Sequence, residues 1–285
     1  MILIADSGST KTNWCLVNRD KKKDFFNTEG YNPYYVDSDY IVSSLQNCVS
    51  LELSAAVIKE VHFYGAGCVS SKSAVVQLAL EKLFHQANVR VELDLLASAR
   101  ALLGNIPGFV AILGTGSNTC LYDGQEVAMN IDSLGFLMGD EGSGADLGKR
   151  LLSDYMRGYL PKALEVEFIK TYQLSPDQVM DRIYGQPLAN RFCAGFSTFL
   201  SSHIKHPYAA ELVKDAFCRF FSNLVSRYPD YTEYSFNCIG SVGFAFKDIL
   251  MEVAADYDME TGRIIKSPID SLVDFHAEGL FTTLT

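Results

Sequence analysis

No apolar stretch in this chain approaches the roughly 18 consecutive residues that cross a bilayer as a helix. The start, MILIADSG, has no charged n-region, apolar h-region or small-residue cleavage site, so a cytoplasmic chain with no membrane partner is expected. Basic residues are in deficit, with 24 Lys and Arg against 34 Asp and Glu and a net charge of −10. Nucleic acids and anionic membranes are recognised by clustered Lys and Arg. The one basic run, Lys21-Lys22-Lys23, reads as a solvated hairpin tip, so no nucleic-acid partner is expected. Proline is sparse and nearly half the residues are apolar, which excludes a disordered chain.

Paired cysteine motifs are missing too. The seven cysteines (15, 48, 68, 120, 193, 218 and 238) are odd in number, scattered and never in a CxxC pair. That argues against a disulfide framework, a structural zinc site and a thioredoxin-like motif, and leaves buried free thiols. The five histidines (62, 85, 203, 206 and 276) make no HxH or HxxxH pattern, and His203 and His206 read as solvated surface. There is no GxxxxGK[ST] loop and no GxSxG elbow, so neither a Walker-type site nor an esterase-like hydrolase is supported.

What the sequence does contain is a repeated device. ILIADSGSTKTNWCLV from Ile2 and AILGTGSNTCLYDGQ from Ala111 each run from an apolar strand through Gly, Ser and Thr into a second strand. The pattern predicts strands over 2–5, 14–17 and 24–27, a helix over 40–51, a strand over 61–64 and a helix whose face carries Val76, Leu80, Leu83 and Phe84. A strand at 89–93 leads directly into a helix from Asp94. Strands alternating with crossover helices indicate an α/β chain with parallel or mixed sheets. The unit restarts at Phe109, and NIPG at 105–108 marks the boundary between domains 1–107 and 108–285. The second half is mostly helical, through 147–158 and 208–226, with a strand over 235–239 and a closing strand and helix.

Three Gly-rich turns could hold an anion. In DSGSTKT, Gly8 allows a tight turn that converges backbone N–H groups, Ser9, Thr10 and Thr12 add hydroxyls, and Lys11 adds a positive charge. Gly114, Thr115 and Gly116 of GTGSNT repeat the device with less charge. Gly240 and Ser241 of GSVG sit at a strand-to-helix junction, where Ser241 could instead be a simple cap. Asp6 ends an apolar strand and could hold Mg²⁺ through water. Asp94 lies where a strand meets a helix, at the sheet end where open α/β sheets bind ligands; it is either a proton acceptor or an N-cap. In GDEGSGADLG, Asp140 or Glu141 could bind substrate hydroxyls, or the two acids could simply favour a helix N-terminus.

Taken together and in this order, DSGSTKT, GTGSN, GDEGSG and GSVG resemble the N-acetylglucosamine kinase and BadF/BcrA-type ATPase family of the sugar kinase/Hsp70/actin superfamily. The resemblance spans nearly the whole chain. It implies two ribonuclease H-like domains in the actin-like ATPase fold, with an inter-domain cleft. It also implies ATP and Mg²⁺ as cofactors and an amino sugar, N-acetylglucosamine above all, phosphorylated on its 6-hydroxyl. By this resemblance Asp94 is the catalytic base, and Asn32, Ser117, Asn118 and Asp140 contact the sugar. Thr10, Thr115 and Gly240 contact the nucleotide, and Asp6 is associated with the metal. Where family sugar kinases often carry Gly-Trp-Gly before GDEG, this chain has Ser133-Leu134-Gly135, with Gly135 on the substrate side. Leu93 stands where Asn or Thr is common. Related kinases are often homodimers. The family also contains activators of radical dehydratases, which need cluster-binding cysteines, and the fold can serve as a sugar or nucleotide sensor.

Overall fold

The computed structural model describes residues 1–8, 10–18, 20–47, 58–69 and 71–281, with side chains as far as residue 277. The chain forms two compact units. One comprises Met1–Ile106, Asp123–Val127 and Ser267–Thr285; the other comprises Pro107–Tyr122 and Ala128–Lys266.

In the first unit, β1 (Ile2–Ser7), β2 (Lys11–Val17) and β3 (Lys23–Glu29) form an antiparallel meander. β4 (Glu60–Gly65) and β5 (Asn88–Leu93) extend it in parallel, giving the order β3-β2-β1-β4-β5. Helices α1 (Ser38–Gln46), α2 (Ser73–Leu83) and α3 (Asp94–Leu103) follow their strands in turn. The expected helix over 40–51 thus begins two residues early, capped by the Asp37 carboxylate, which accepts from the Tyr40 N–H. Residues 48–51 lie outside the described residues, as does Cys48. The core is organised on Trp14, which is fully buried, stacks on Phe26 at 5.8 Å and donates its indole N–H to Thr28 Oγ1 at 3.0 Å. That bond satisfies the one polar atom that burial would otherwise strand.

The second unit repeats the plan. Its strands are β6 (Gly108–Leu113), β7 (Ser117–Tyr122), β8 (Val127–Asn130), β9 (Phe236–Ile239) and β10 (Thr261–Ile265), in the order β10-β9-β6-β7-β8. Reversed, that order matches the first sheet strand for strand. β6–β7 is antiparallel, while β6–β9 and β9–β10 are parallel. The helices are α4 (Gly135–Met138), α5 (Gly144–Arg157), α6 (Lys162–Tyr172), α7 (Pro176–Met180), α8 (Ala189–Gly195) and α9 (Ser197–Ser202). They continue with α10 (Pro207–Asn223), α11 (Ser241–Ala245) and α12 (Lys247–Asp256). A core rich in Phe (109, 168, 217, 220, 221 and 236) ties these helices to the sheet. The C-terminal helix α13 (Ile269–Phe281) belongs to the first unit, where it packs on α3.

His203 and His206 are not simply solvated. His203 lies tilted against the Phe199 ring, with centroids 4.2 Å apart, and His206 is the N-cap of α10, its Nδ1 accepting from the Tyr208 N–H. The side chain at the cap position finds a local donor that a polar sequence pattern does not reveal.

Candidate functional site

In the first unit the turn between β1 and β2 is braced from below. Ser7 Oγ and Thr12 Oγ1 lie 2.7 Å apart, Thr12 donates to the Glu29 carbonyl at 2.8 Å, and Ser7 Oγ accepts from the Tyr31 N–H at 3.1 Å. Thr12 is therefore fully buried, with its hydroxyl spent inside the sheet, because the alternation of β2 turns it inward. Gly8, Thr10 and Lys11 are exposed and form the outer surface of the turn. Gly8 does not use the left-handed freedom of glycine, and a Cβ there would meet only Lys11 O at 3.7 Å. Ser9 lies outside the described residues.

Register aligns the ends of three parallel strands: Ser7 opposite Gly65, and Gly65 opposite Leu93. Asp6, one residue before this line, and Asp94, one after it, therefore share one sheet edge. Asp94 opens α3 without capping it; the N-cap is Leu93, and no side-chain cap bond forms. Burial is the largest influence on both carboxyls. It lifts Asp94 to about 6 against the opposing pull of the Leu95 and Asp94 N–H groups, and lifts Asp6 to about 7, helped by repulsion from Asp94 and opposed by Asn13. A pair of carboxyls titrating near neutrality is suited to proton transfer or to neutralisation by a cation.

Asn32 is buried beside the loop that follows β4. Its Oδ1 accepts from the Tyr34 N–H at 3.0 Å, and a Cβ on Gly67 would approach that oxygen to 2.5 Å. Gly67, with φ of +77°, is thus needed to admit Asn32.

In the second unit the Gly-rich turns meet. Gly144 and Ala145, at the start of α5, donate their N–H groups to the carbonyls of Gly114 and Thr115 at 2.8 and 3.0 Å. Gly240 has φ of +129°, and a Cβ there would lie 2.2 Å from Leu113 O and 3.1 Å from Gly114 N. Ser241 is the first residue of α11 and makes no cap bond, so simple capping does not explain it. GTGSN, the GDEGSG segment and GSVG therefore form one backbone-dense cluster in the second unit.

Asp140 is the polar centre of that cluster. It adopts a left-handed φ of +59°, uncommon for a residue with a Cβ, and its N–H donates to Ser133 O at 2.9 Å. Its carboxylate accepts the Ser117 N–H at 3.0 Å, and Gly116 has no Cβ to block the approach, since one would sit 2.9 Å from Oδ1. Burial raises its pKa, partly offset by hydrogen bonds from Ser117 and Ser133 and by Lys149. The sequence left Asp140 and Glu141 open. Glu141 accepts from Asn223 of α10 at 2.8 Å, and Asp146, which the sequence did not single out, accepts from Gly142 N and Arg219, so both have structural partners.

Ser117 Oγ is buried with no hydrogen-bond partner among the described residues, and Asn118 offers its Nδ2 after Oδ1 accepts from Thr119 N and Asn130. Buried polar atoms normally find partners, so an open one beside a carboxylate points to a ligand. Gly135, with φ of +68°, begins α4 and has nothing within 4 Å of a built Cβ.

The described cysteines are free thiols, buried except for the half-buried Cys218. Burial pushes Cys15 up to about 11 and Cys68 up to about 12. No helix among the described residues is long and apolar enough to cross a membrane.

No family model matches the chain, and no curated protein matches it in sequence. Solved structures do match. A Porphyromonas gingivalis protein provisionally assigned as an N-acetylglucosamine kinase is 37% identical, with a TM-score of 0.94 over 98% of this chain and 100% of its own. A Chromobacterium violaceum protein with the same provisional assignment has a TM-score of 0.71 at 16% identity, over 96% and 98% of the two chains. A ROK-family glucokinase from Streptomyces griseus, solved with glucose and AMPPNP, has a TM-score of 0.62 at 13% identity, over 97% and 98%. The latter two speak for the fold alone. The doubled five-stranded sheet is that of the sugar kinase/Hsp70/actin superfamily. Within it, the chain belongs to the N-acetylglucosamine kinase and BadF/BcrA-type ATPase family.

Proposed function

We propose that the protein transfers the γ-phosphoryl group of ATP to the 6-hydroxyl of an amino sugar, with N-acetylglucosamine the preferred acceptor. The observation that carries this reading is Asp94: a carboxyl at the end of a parallel strand, at the first position of α3 and not its N-cap, poised to titrate near neutrality. The relative at 37% identity, provisionally assigned as an N-acetylglucosamine kinase, supports the choice of acceptor. The AMPPNP bound to the Streptomyces griseus glucokinase supports the choice of nucleotide.

In this reading Asp94 accepts the hydroxyl proton as the sugar oxygen bonds to the γ-phosphorus and the bond to the β-phosphate oxygen breaks, releasing ADP. Residues 1–107 supply Asp94, Asn32 and the phosphate-facing Thr10 and Lys11. Residues 108–285 supply Thr115 and the Gly114 and Gly116 backbone for phosphate, Gly240 and Ser241 for the nucleoside, and Asp140, Ser117 and Asn118 for the sugar. Asp6 fits a hard cation through water, since a carboxyl that burial keeps from ionising gains most from a nearby positive charge. Mg²⁺ held there would neutralise phosphate charge.

A coupled ADP-release assay over N-acetylglucosamine, N-acetylmuramate, glucosamine and glucose, with and without Mg²⁺, tests the reading. ADP release that depends on N-acetylglucosamine and on Mg²⁺ is expected; release indifferent to sugar, or none at all, refutes it. Asp140→Asn should raise the sugar KM by about 10- to 100-fold with a smaller change in kcat, because one charged hydrogen bond to a hydroxyl is lost. Steady-state kinetics with varied sugar check this.

The acidic limb of the pH profile follows from the carboxyl pair. A base must be deprotonated, so kcat/KM should fall about tenfold per pH unit once the pH drops below about 6, the value to which burial lifts Asp94. Because Asp6 and Asp94 interact, the limb reports the pair and not either residue alone.

A further inference from the structure

A second polar cavity in the first unit lies outside this machinery. It has a volume of about 170 Å³ and is lined by His62, Arg90, Glu92, Arg100, Phe275 and His276. Four features give it chemistry. Two guanidinium groups share it, and neither makes an ion pair within 4.0 Å among the described residues. Arg90 is exposed and makes no hydrogen bond among them either. Arg100 donates through one Nη to the Tyr64 hydroxyl at 2.7 Å, while its buried Nε has no partner. The rings of His62 and His276 stack at 3.9 Å between centroids.

The donor pattern is fixed by the arginine. A guanidinium can only donate, so the Tyr64 oxygen accepts from Arg100, and the same oxygen lies 2.9 Å from His276 Nε2. His276 Nδ1 has no hydrogen-bond partner among the described residues. His62 uses Nε2 to donate to Glu60 at 3.1 Å. The unpartnered groups whose character is fixed are donors: the Arg90 fork and Arg100 Nε–H. Against two guanidinium charges the wall sets a single carboxylate, Glu92, which can accept from a hydroxyl.

We propose that this cavity binds a small phosphate-type oxyanion, held by Arg90, Arg100 and the stacked His62–His276 pair. The volume accommodates one tetrahedral ion with part of its hydration, given about 30 Å³ for each water of the liquid. Forked donors suit tetrahedral oxygens. Burial first, and the two arginines to a lesser degree, hold both imidazoles below their ordinary range, His276 at about 3. A bound anion raises both histidine pKa values, so binding takes up protons.

The histidine C2–H resonances report the site directly. Titrations with inorganic phosphate, sulfate and glucosamine 6-phosphate should each shift the His62 and His276 signals saturably if the phosphoryl-type group alone is recognised. A response to the inorganic ions only would identify free oxyanion as the ligand, still at this site. Arg90→Gln, a change at an exposed side chain, should weaken binding at least about tenfold, the cost of a hydrogen bond to a charged group. Lys11→Gln should leave it unchanged, which separates this site from the nucleotide turn. No saturable shift with any anion, or full affinity in Arg90→Gln, would overturn the proposal.

Discussion

Replacing Asp94 by Asn should lower turnover by about a hundred- to ten-thousandfold, the range contributed by a positioned general base. The amide keeps the shape of the carboxyl and can still accept a hydrogen bond, so sugar affinity measured by calorimetry should change little. The same variant should melt higher than the wild type near pH 7.5. The sign follows from the shift. The folded protein lifts this carboxyl from 3.8 to about 6, so folding favours its neutral form. That stabilising contribution is complete below about pH 4 and is lost as the pH rises through about 6. Asparagine is neutral throughout and does not lose it. Thermal melts of both proteins at about pH 4, pH 5 and pH 7.5 should show a small gap at the lowest pH, already partly open at pH 5 and widest at pH 7.5. Retained turnover in the variant would remove Asp94 from the reaction; a loss of turnover with no pH-dependent gap would leave the base in place and refute the burial argument.

Replacing Gly148 by Ala should destabilise the second unit by about 3 kcal/mol or more, lowering its melting temperature by about 10 °C. A Cβ at this position would sit 1.7 Å from the Cys193 carbonyl oxygen and 2.5 Å from its carbon. Both obstacles are backbone, so no change of rotamer relieves them, and α5 and α8 must separate. The first turn of α5 also holds the Gly114 and Thr115 carbonyls. Displacing the helix should therefore loosen the phosphate-facing turn, and nucleotide affinity should fall with stability. Differential scanning calorimetry and nucleotide titration measure the two effects. A variant that melts with the wild type would show that the helix contact yields easily.

Local pattern made much of the fold legible. Alternating apolar residues mark the strands on either side of each Gly-rich turn because a strand shows opposite faces at successive residues. The turn at residues 7–11 and its counterpart at 114–116 follow from the same local chemistry. The helix starting at Asp94 was equally plain, since DLLASARALL is a strong helix former. Less legible were choices that depend on distant partners. Asp140 and Glu141 are neighbours with the same chemistry, and only Asn223, far along the chain, absorbs one of them. Thr12 and Thr10 look alike in sequence, yet the hydroxyl of Thr12 is claimed by Ser7 and Glu29. His62 and His276 lie 214 positions apart and carry no motif, so their stacking could not be anticipated.

The sequence by itself determined the two glycine-punctuated strand pairs, the alternation of strands and helices, and the set of acids and hydroxyls available for chemistry. Those follow from backbone sterics and side-chain period, which act over a few residues. Tertiary structure alone decided which of those acids are freed from structural duty, how Gly116 and Gly67 admit Asp140 and Asn32, and that a histidine pair meets two arginines. Burial, Coulomb fields and hydrogen-bond satisfaction depend on neighbours in space, and residues far apart in the chain supply them.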